Sequence, residues 1–311
     1  MEHTQAQELL DVRPSGAVPS LSIKETEPPL GAVTPQGAAG SCPSCATAQS
    51  GGQARPQPYV YVIGHIEPRF PLISVEKEAW QAIKREAGAA KDTDRQAMFK
   101  VLTDPANRYL VRQLCWVLSL HGIDTYILMP RDPADYQLLV NAYRAELNPG
   151  DLELVIGLRG QNAPPSLCNG LTVPIVMFDQ IYPFDRKSLL NAIPKPKDPP
   201  PNFTRAAEEM FDRIMQQSDN AGATDKDRAL NYLAVRYGQI YATAASEFNR
   251  NAAFTSIDVL PSPLSGTRKI VDVVFGFTAR DTDVVSKHFV RVDVTDEFPF
   301  LVTKLSPYYD R

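Results

Sequence analysis

All 27 aromatic side chains of this 311-residue chain lie between positions 58 and 311, and residues 1–57 hold none. Those first 57 residues carry seven prolines and six glycines instead. A stretch so poor in large apolar groups cannot bury enough surface to offset the entropy of ordering it. Residues 1–57 therefore read as a disordered tail, and any core must be built from 58–311. A second break stands at 194–202, Pro-Lys-Pro-Lys-Asp-Pro-Pro-Pro-Asn, with five prolines in nine positions. Prolines that dense exclude helix and central strand and favour a stiff polyproline-II spacer. The ordered part thus divides into a unit at 58–193 and a unit at 203–311.

The first unit alternates strand and helix. YVYVIGHI at 59–66 is β-branched and aromatic, the pattern of a buried strand. Ser74 is a candidate cap for a helix to about Glu86, and a second helical stretch covers 93–102. Asp104-Pro105 offers a cap and a first-turn proline for a longer helix ending at His121 and Gly122. IDTYILM (123–129) then reads as a strand, Asp132-Pro133 opens a helix over 133–146, and LELVIGL (152–158) and VPIVMFD (173–179) read as two more strands. Strands separated by helices imply crossover connections. The expected fold is α/β, a mainly parallel sheet with flanking helices.

The second unit reads as α+β. Phe203–Asp219 is one amphipathic helix, and Thr224 with Asp227 resembles a capping box opening a helix to about Asn251. Strands follow near 254–260, 269–278, 287–294 and 299–305 with no helix between them, which predicts an antiparallel sheet.

Charge narrows the function classes. Lys plus Arg is 32 against 36 for Asp plus Glu, a net charge of −4. That balance argues against a broad electrostatic grip on nucleic acid or on an anionic membrane. No apolar run approaches the ~20 residues of a membrane-spanning helix, and the N-terminal stretch lacks the basic and apolar regions of a secretory signal. Four cysteines are too few for a disulfide framework, so a reducing cytoplasm is the expected location.

Six long runs resemble the C-terminal domain of the PatG and PatA proteins of cyanobactin biosynthesis. They are YVYVIGHIEPRFPLISVEKE, NRYLVRQLCWVLSLHGIDTYILMPRDPAD, CNGLTVPIVMFDQIYPFD, DNAGATDKDRALNYLAVRYGQIYA, LSGTRKIVDVVF and FVRVDVTDEFPFLVTKLSPYYDR. Together they span nearly all of 58–311. The resemblance implies a domain that accompanies maturation of ribosomally made, modified peptides, where larger family members also carry subtilisin-like protease domains. Such a protease needs an Asp, a His and a Ser nucleophile. None of His3, His65, His121 and His288 stands in a protease-like context, and no nucleophile segment occurs, so the chain is expected to lack proteolytic chemistry.

Several residues invite chemical readings. Cys42 and Cys45 form a CxxC in the tail, and thiolates at that spacing can reach one Zn²⁺, which prefers four N or S ligands. One pair supplies half a site. The remainder would come from Cys115, Cys168, a His or the same pair of a second chain, the last giving a zinc-linked homodimer; a pair without a metal role is the alternative. Cys115 reads as a buried inert thiol on an apolar helix, and Cys168 as a more accessible loop thiol with no base beside it. His121 suits the last turn of its helix, and His288 falls in a strand. Gly157, Gly160 and Gly170 do not match a nucleotide-binding fingerprint, so no nucleotide cofactor is expected.

In an open parallel sheet, ligands bind outside the carboxyl ends of the strands. Those ends would bring together His65, Glu67, Arg69, Arg131, Arg159 and Asp179, with Asp132 as a helix cap. Arginine forks suit carboxylates, including a peptide C-terminus. The sequence alone thus points to an accessory, non-catalytic domain that binds a precursor peptide or a pathway enzyme. The competing reading is a peptide-modifying enzyme using that edge or Cys168.

Overall fold

The computed structural model describes residues 59–86, 93–193, 203–216 and 220–309. The tail with Cys42 and Cys45 and the 194–202 spacer lie outside the described residues. Residues Ala54–Arg311 form one compact unit.

Five strands of that unit close a barrel: β1 (Tyr59–Arg69), β2 (Cys115–Leu120), β3 (Ile123–Pro130), β4 (Asp151–Asn162) and β5 (Pro174–Asp185), in the order β1-β2-β3-β5-β4. Helices α1 (Ile73–Glu86), α2 (Asp94–Thr103) and α3 (Arg108–Gln113) fill the connection from β1 to β2, and α4 (Tyr136–Ala142) joins β3 to β4. The expected mainly parallel sheet is not what forms. Only β3 and β5 run parallel; β1–β2, β1–β4, β2–β3 and β4–β5 are all antiparallel. The closed order, the single parallel pair and the helix between β3 and β4 are the connectivity of an OB-type Greek-key barrel.

The physical reason for the difference is visible in burial. Strands of β1 bury both faces: Val60 and Val62 face the barrel core with Trp116 and Phe178, while Tyr61 and Ile63 pack outward with Leu154 and Ile156. A strand buried on both faces carries a continuous apolar run, the pattern otherwise typical of parallel sheets. The second reason is Cys115–Leu120, expected as the end of a helix. Asp104 does cap, accepting from the Ala106 amide at 2.9 Å, but it opens a short 3₁₀ turn at Pro105–Asn107. Helix α3 stops at Gln113, Leu114 turns extended, and the next six residues pair with β1 and β3. His121 then lies at φ 50 in the β2–β3 turn, with Gly122 at φ 81, rather than in a last helical turn. Asp132 caps a 3₁₀ turn at Pro133–Asp135 in the same way, its carboxylate accepting from the Ala134 amide at 2.8 Å.

β1 changes partner at Gly64. Its Tyr59–Gly64 half pairs with β4 and its His65–Arg69 half with β2. A Cβ at Gly64 would meet the Ser119 carbonyl at 2.6 Å, so only glycine lets the strand bend here.

The second half follows the expected α+β order. Helix α6 (Phe203–Met215) follows α5 (Arg186–Asn191). The Thr224–Asp227 capping box forms and opens α7 (Asp225–Arg236). The helix expected to run on to 251 breaks at Tyr237–Gly238 and resumes as α8 (Gln239–Asn249). Strands β6 (Ala252–Pro261), β7 (Ile270–Ala279), β8 (Val285–Asp293), β9 (Phe300–Leu301) and β10 (Ser306–Pro307) make an antiparallel sheet ordered β10-β8-β7-β6, with β9 on β8. One face of α7 packs Leu230 and Leu233 against this sheet, while Tyr232 and Val235 lie on the outside of the barrel. That helix is the shared wall of both halves.

The preceding segment locks the wall in place. The Gly222 carbonyl accepts from the Tyr61 amide at 2.9 Å, and the Ala221 carbonyl accepts from the Tyr126 hydroxyl at 2.9 Å. The Asn231 side-chain amide donates to the Tyr61 carbonyl at 2.8 Å and exchanges two bonds with Asn220. The Asn-Ala-Gly-Ala-Thr stretch thus acts as a clasp between α7 and β1.

Candidate functional site

The six residues expected on one edge fall into separate arrangements. Glu67 takes a two-pronged ion pair from Arg95 of α2, at 2.8 and 3.0 Å. Arg69 pairs with Asp124 at 3.0 Å. Arg159 stands exposed on β4 opposite Val176, with no ion pair among the described residues. His65 is half-buried, its Nδ1 has no hydrogen-bond partner, and burial lowers its pKa, so the ring is neutral near pH 7. Arg131 and Asp179 do meet, at 2.7 Å, because the Arg131 amide donates to the Phe178 carbonyl next to Asp179.

A residue outside the expected set completes that pair. Glu297, in the loop between β8 and β9, places Oε2 3.6 Å from the Arg131 guanidinium. Burial, and then the adjacent Asp179 carboxylate, push the Glu297 carboxyl up to about 7. Its position is set from α7. The buried Arg228 donates to the carbonyls of Val294 at 2.7 Å and Glu297 at 3.3 Å, and also to that of Asp296. Two carboxylates beside one arginine can share a proton, since like charges at close range resist ionising together. Nothing in the Thr-Asp-Glu-Phe-Pro run marks Glu297 beforehand; only the packing of that loop against the barrel brings it to Arg131.

A second charged network lies where β1 leaves β4. Arg95 also donates to the Arg144 carbonyl at 2.8 Å and stacks 4.2 Å from the centre of the Tyr143 ring. Arg144 pairs with the buried Asp151. Glu153, only 2% exposed, accepts from the Ile66 amide at 3.3 Å. Ile66 has no β4 partner at this point, so the Glu153 side chain substitutes for the missing strand carbonyl. Burial raises the Glu153 carboxyl to about 7 despite Arg144 nearby. These groups hold helices to barrel, and Asp151 and Glu153 are buried from solvent, which suits structure rather than chemistry.

The cysteines correct two expectations. Cys115 is buried as expected, but on a strand and in a disulfide with Cys168, which is itself 3% exposed rather than accessible. The bond fastens the 163–173 loop over the outer face of β2, β3 and β5. Val117, Ile127 and Ala163 bury there beside Leu171 and Val173. His288 sits on β8 as expected and meets the buried Glu247 at 3.1 Å, while the Ser286 hydroxyl takes the other Glu247 oxygen at 3.2 Å. Serine and histidine therefore both address the carboxylate, and the serine has no base. Gly157 lies inside β4, where a Cβ would meet the Met177 carbonyl at 2.3 Å, so its role is close strand packing. Among the described residues no group of three or more His, Cys, Asp or Glu could hold a metal, and no helix is long and apolar enough to cross a membrane.

One open recess stands out for its chemistry. It holds about 340 Å³ between the α2–α3 segment and the start of α4. Leu102, Val111 and Val140 form its floor and Arg108 and Arg112 its rim. A smaller hollow of about 90 Å³ adjoins it, sharing Arg112 and Tyr136, and leads along Trp116 and Met129 to Leu167 of the strapped loop. The larger recess thus lies between the β1–β2 and β3–β4 connections, and the smaller hollow carries on from it to β2, β3 and the β4–β5 connection.

Comparison with known proteins bears on the whole arrangement. Residues 197–308 match the family described as PatG C-terminal, so the resemblance read from the sequence is shown. A solved structure described as the PatG domain of unknown function shares the fold, with TM-score 0.64 and 22% identity over 81% of this chain and 99% of that one. No curated protein matches the chain.

Proposed function

We propose that this chain is a non-catalytic accessory domain of a cyanobactin-like pathway for ribosomally made peptides, where it binds a precursor peptide or a partner enzyme. The observation that carries this is the recess between the β1–β2 and β3–β4 connections, with an apolar floor and two arginines on its rim. Barrels of this connectivity take ligands on the β2–β3 face between the β1–β2 and β4–β5 connections, where the adjoining smaller hollow lies; this support is an analogy of fold. The groups suited to chemistry are engaged with one another instead: Glu67 with Arg95, Asp179 with Arg131, Glu247 with His288.

The test is calorimetry or fluorescence anisotropy between the full chain and the precursor peptide encoded beside its gene. Saturable binding supports the proposal, and absence of binding to both that peptide and the neighbouring enzymes overturns it.

A second reading rests on Glu297. A carboxyl that titrates near pH 7 beside Asp179 and Arg131 fits a general acid or base acting on a peptide. Mass spectrometry of the precursor after incubation with purified protein distinguishes the two, since the accessory reading requires an unchanged peptide. The Cys42–Cys45 pair adds a further proposal, zinc shared between two copies. It requires about half an equivalent of Zn²⁺ per chain and monomers after chelation.

A further inference from the structure

We infer that the recess rimmed by Arg108 and Arg112 selects acidic peptide segments in which carboxylate side chains alternate with apolar ones. The inference rests on the binding role proposed above and assigns it a ligand class.

Arg108 and Arg112 stand one helical turn apart on α3, both exposed and both lining the recess. Neither guanidinium has an ion pair, hydrogen bond or ring contact among the described residues. This sets them apart from Arg69, Arg95, Arg131, Arg144, Arg228 and Arg291, whose guanidinium groups are all spent inside the molecule. One carboxylate shares the lining, Asp104. Its oxygens are turned inward, accepting from the Ala106 amide at 2.9 Å and the Asn107 side chain at 3.3 Å. The recess is therefore a locally cationic place on a chain of net charge −4.

Between the two arginines the floor is apolar. Leu102, Val111 and Val140 are each 3% exposed or less, and Tyr136 closes the wall toward the smaller hollow. A ligand that satisfies both parts must present carboxylates at the rim and apolar side chains below. An extended segment does so because successive side chains point to opposite sides. Guanidinium groups not already paired bind carboxylates through charge-assisted, often two-pronged hydrogen bonds. Nucleic acid would also meet the arginines, but it needs aromatic platforms for its bases. The lining offers one aromatic ring, Tyr136, which forms part of the wall.

The probes are a dye-labelled hexapeptide alternating leucine and glutamate, its leucine–glutamine and leucine–lysine counterparts, and a dye-labelled oligothymidylate. They are titrated by anisotropy into the full chain at low salt. The glutamate peptide should bind at least tenfold tighter than the glutamine peptide and weaken as salt rises. Arg108→Gln and Arg112→Gln should each weaken it about tenfold while leaving the melting temperature unchanged. The double variant Arg108→Glu/Arg112→Glu should transfer the preference to the lysine peptide, an exchange that misfolding cannot produce. Equal binding of glutamate and glutamine peptides would overturn the acidic preference and leave the accessory role intact. Preference for the oligothymidylate would overturn the peptide assignment. Precursor binding that ignores both arginines would overturn this site alone. Failure of every peptide, precursor included, would overturn peptide binding altogether, and the accessory role would fall with it only if the neighbouring enzymes also failed to bind.

Discussion

Replacing Glu153 with glutamine should stabilise this protein at alkaline pH, although it removes an ionisable residue near the start of a barrel strand. Glu153 is 2% exposed, and burial raises its carboxyl from 4.5 to about 7. A carboxyl whose pKa is raised on folding binds more protons in the folded state than in the unfolded one between those two values. Stability is then fully supported below about pH 4.5 and is lost progressively as pH climbs through 7. A shift of that size corresponds to an upper limit of about 3 kcal/mol at pH 8 and above. Glutamine keeps an acceptor oxygen for the Ile66 amide, now at 3.3 Å, and avoids the cost of a buried charge. It gives up the attraction to Arg144 and Arg95, so the net gain should fall nearer 1–2 kcal/mol. For a domain of this size, that amounts to roughly 2–8 °C in melting temperature. Urea unfolding at pH 5, 6, 7 and 8 tests the argument. Wild type should lose stability across that range, and Glu153→Gln should lose less, with the two curves converging toward pH 5. A variant less stable than wild type at pH 8 would refute the reasoning, because it would show Glu153 charged and held by Arg144.

Gly222→Ala should cost about 2–4 kcal/mol, since φ is +66 and a Cβ there would meet the Tyr61 carbonyl at 2.5 Å; an unchanged thermal melt would show that the clasp relaxes freely. Cys168→Ser should cost up to about 4 kcal/mol in oxidising buffer by the loop-closure argument, given the 53-residue separation of Cys115 and Cys168. It should also speed amide hydrogen exchange in 163–173, and equal exchange in both proteins would show that the apolar contacts hold the loop unaided.

Local signals in the sequence were read well where chemistry acts over three or four residues. Asp104, Asp132 and Thr224 all act as caps, Thr224 on the helix expected of it and the two aspartates on short 3₁₀ turns in place of the longer helices expected there. The four long strands in the barrel and the three long strands after α8 stand near their expected places. What stayed hidden depends on partners far away in the chain. CWVLSL carries no period that separates a buried strand from a helix end, and losing β2 merged the helical β1–β2 connection and the β2–β3 hairpin into one apparent crossover. The barrel order and the pairing of Cys115 with Cys168 were lost with it. The same holds for the candidate site. Arg131 and Asp179 could be grouped because they follow neighbouring strands, but Glu297 and the rim of Arg108 and Arg112 exist only once α3, α4 and the 294–297 loop have packed.

The clasp on β1 also sets a timetable for synthesis. Tyr61 emerges from a ribosome long before its partners: the Asn231 side chain that grips its carbonyl lies 170 positions later. The barrel strands all precede residue 186, yet Tyr61 and Ile63, on their outer face, remain bare until Tyr232 and Val235 arrive. Contacts this distant in sequence slow folding, and apolar surface left waiting favours association with other nascent chains. A fragment ending at the proline-rich 194–202 spacer, an obvious place to cut, would keep every strand of the barrel and still leave that surface uncovered. Expression of such a piece should therefore yield aggregates or depend on chaperones, while a boundary placed after α7 would retain the clasp.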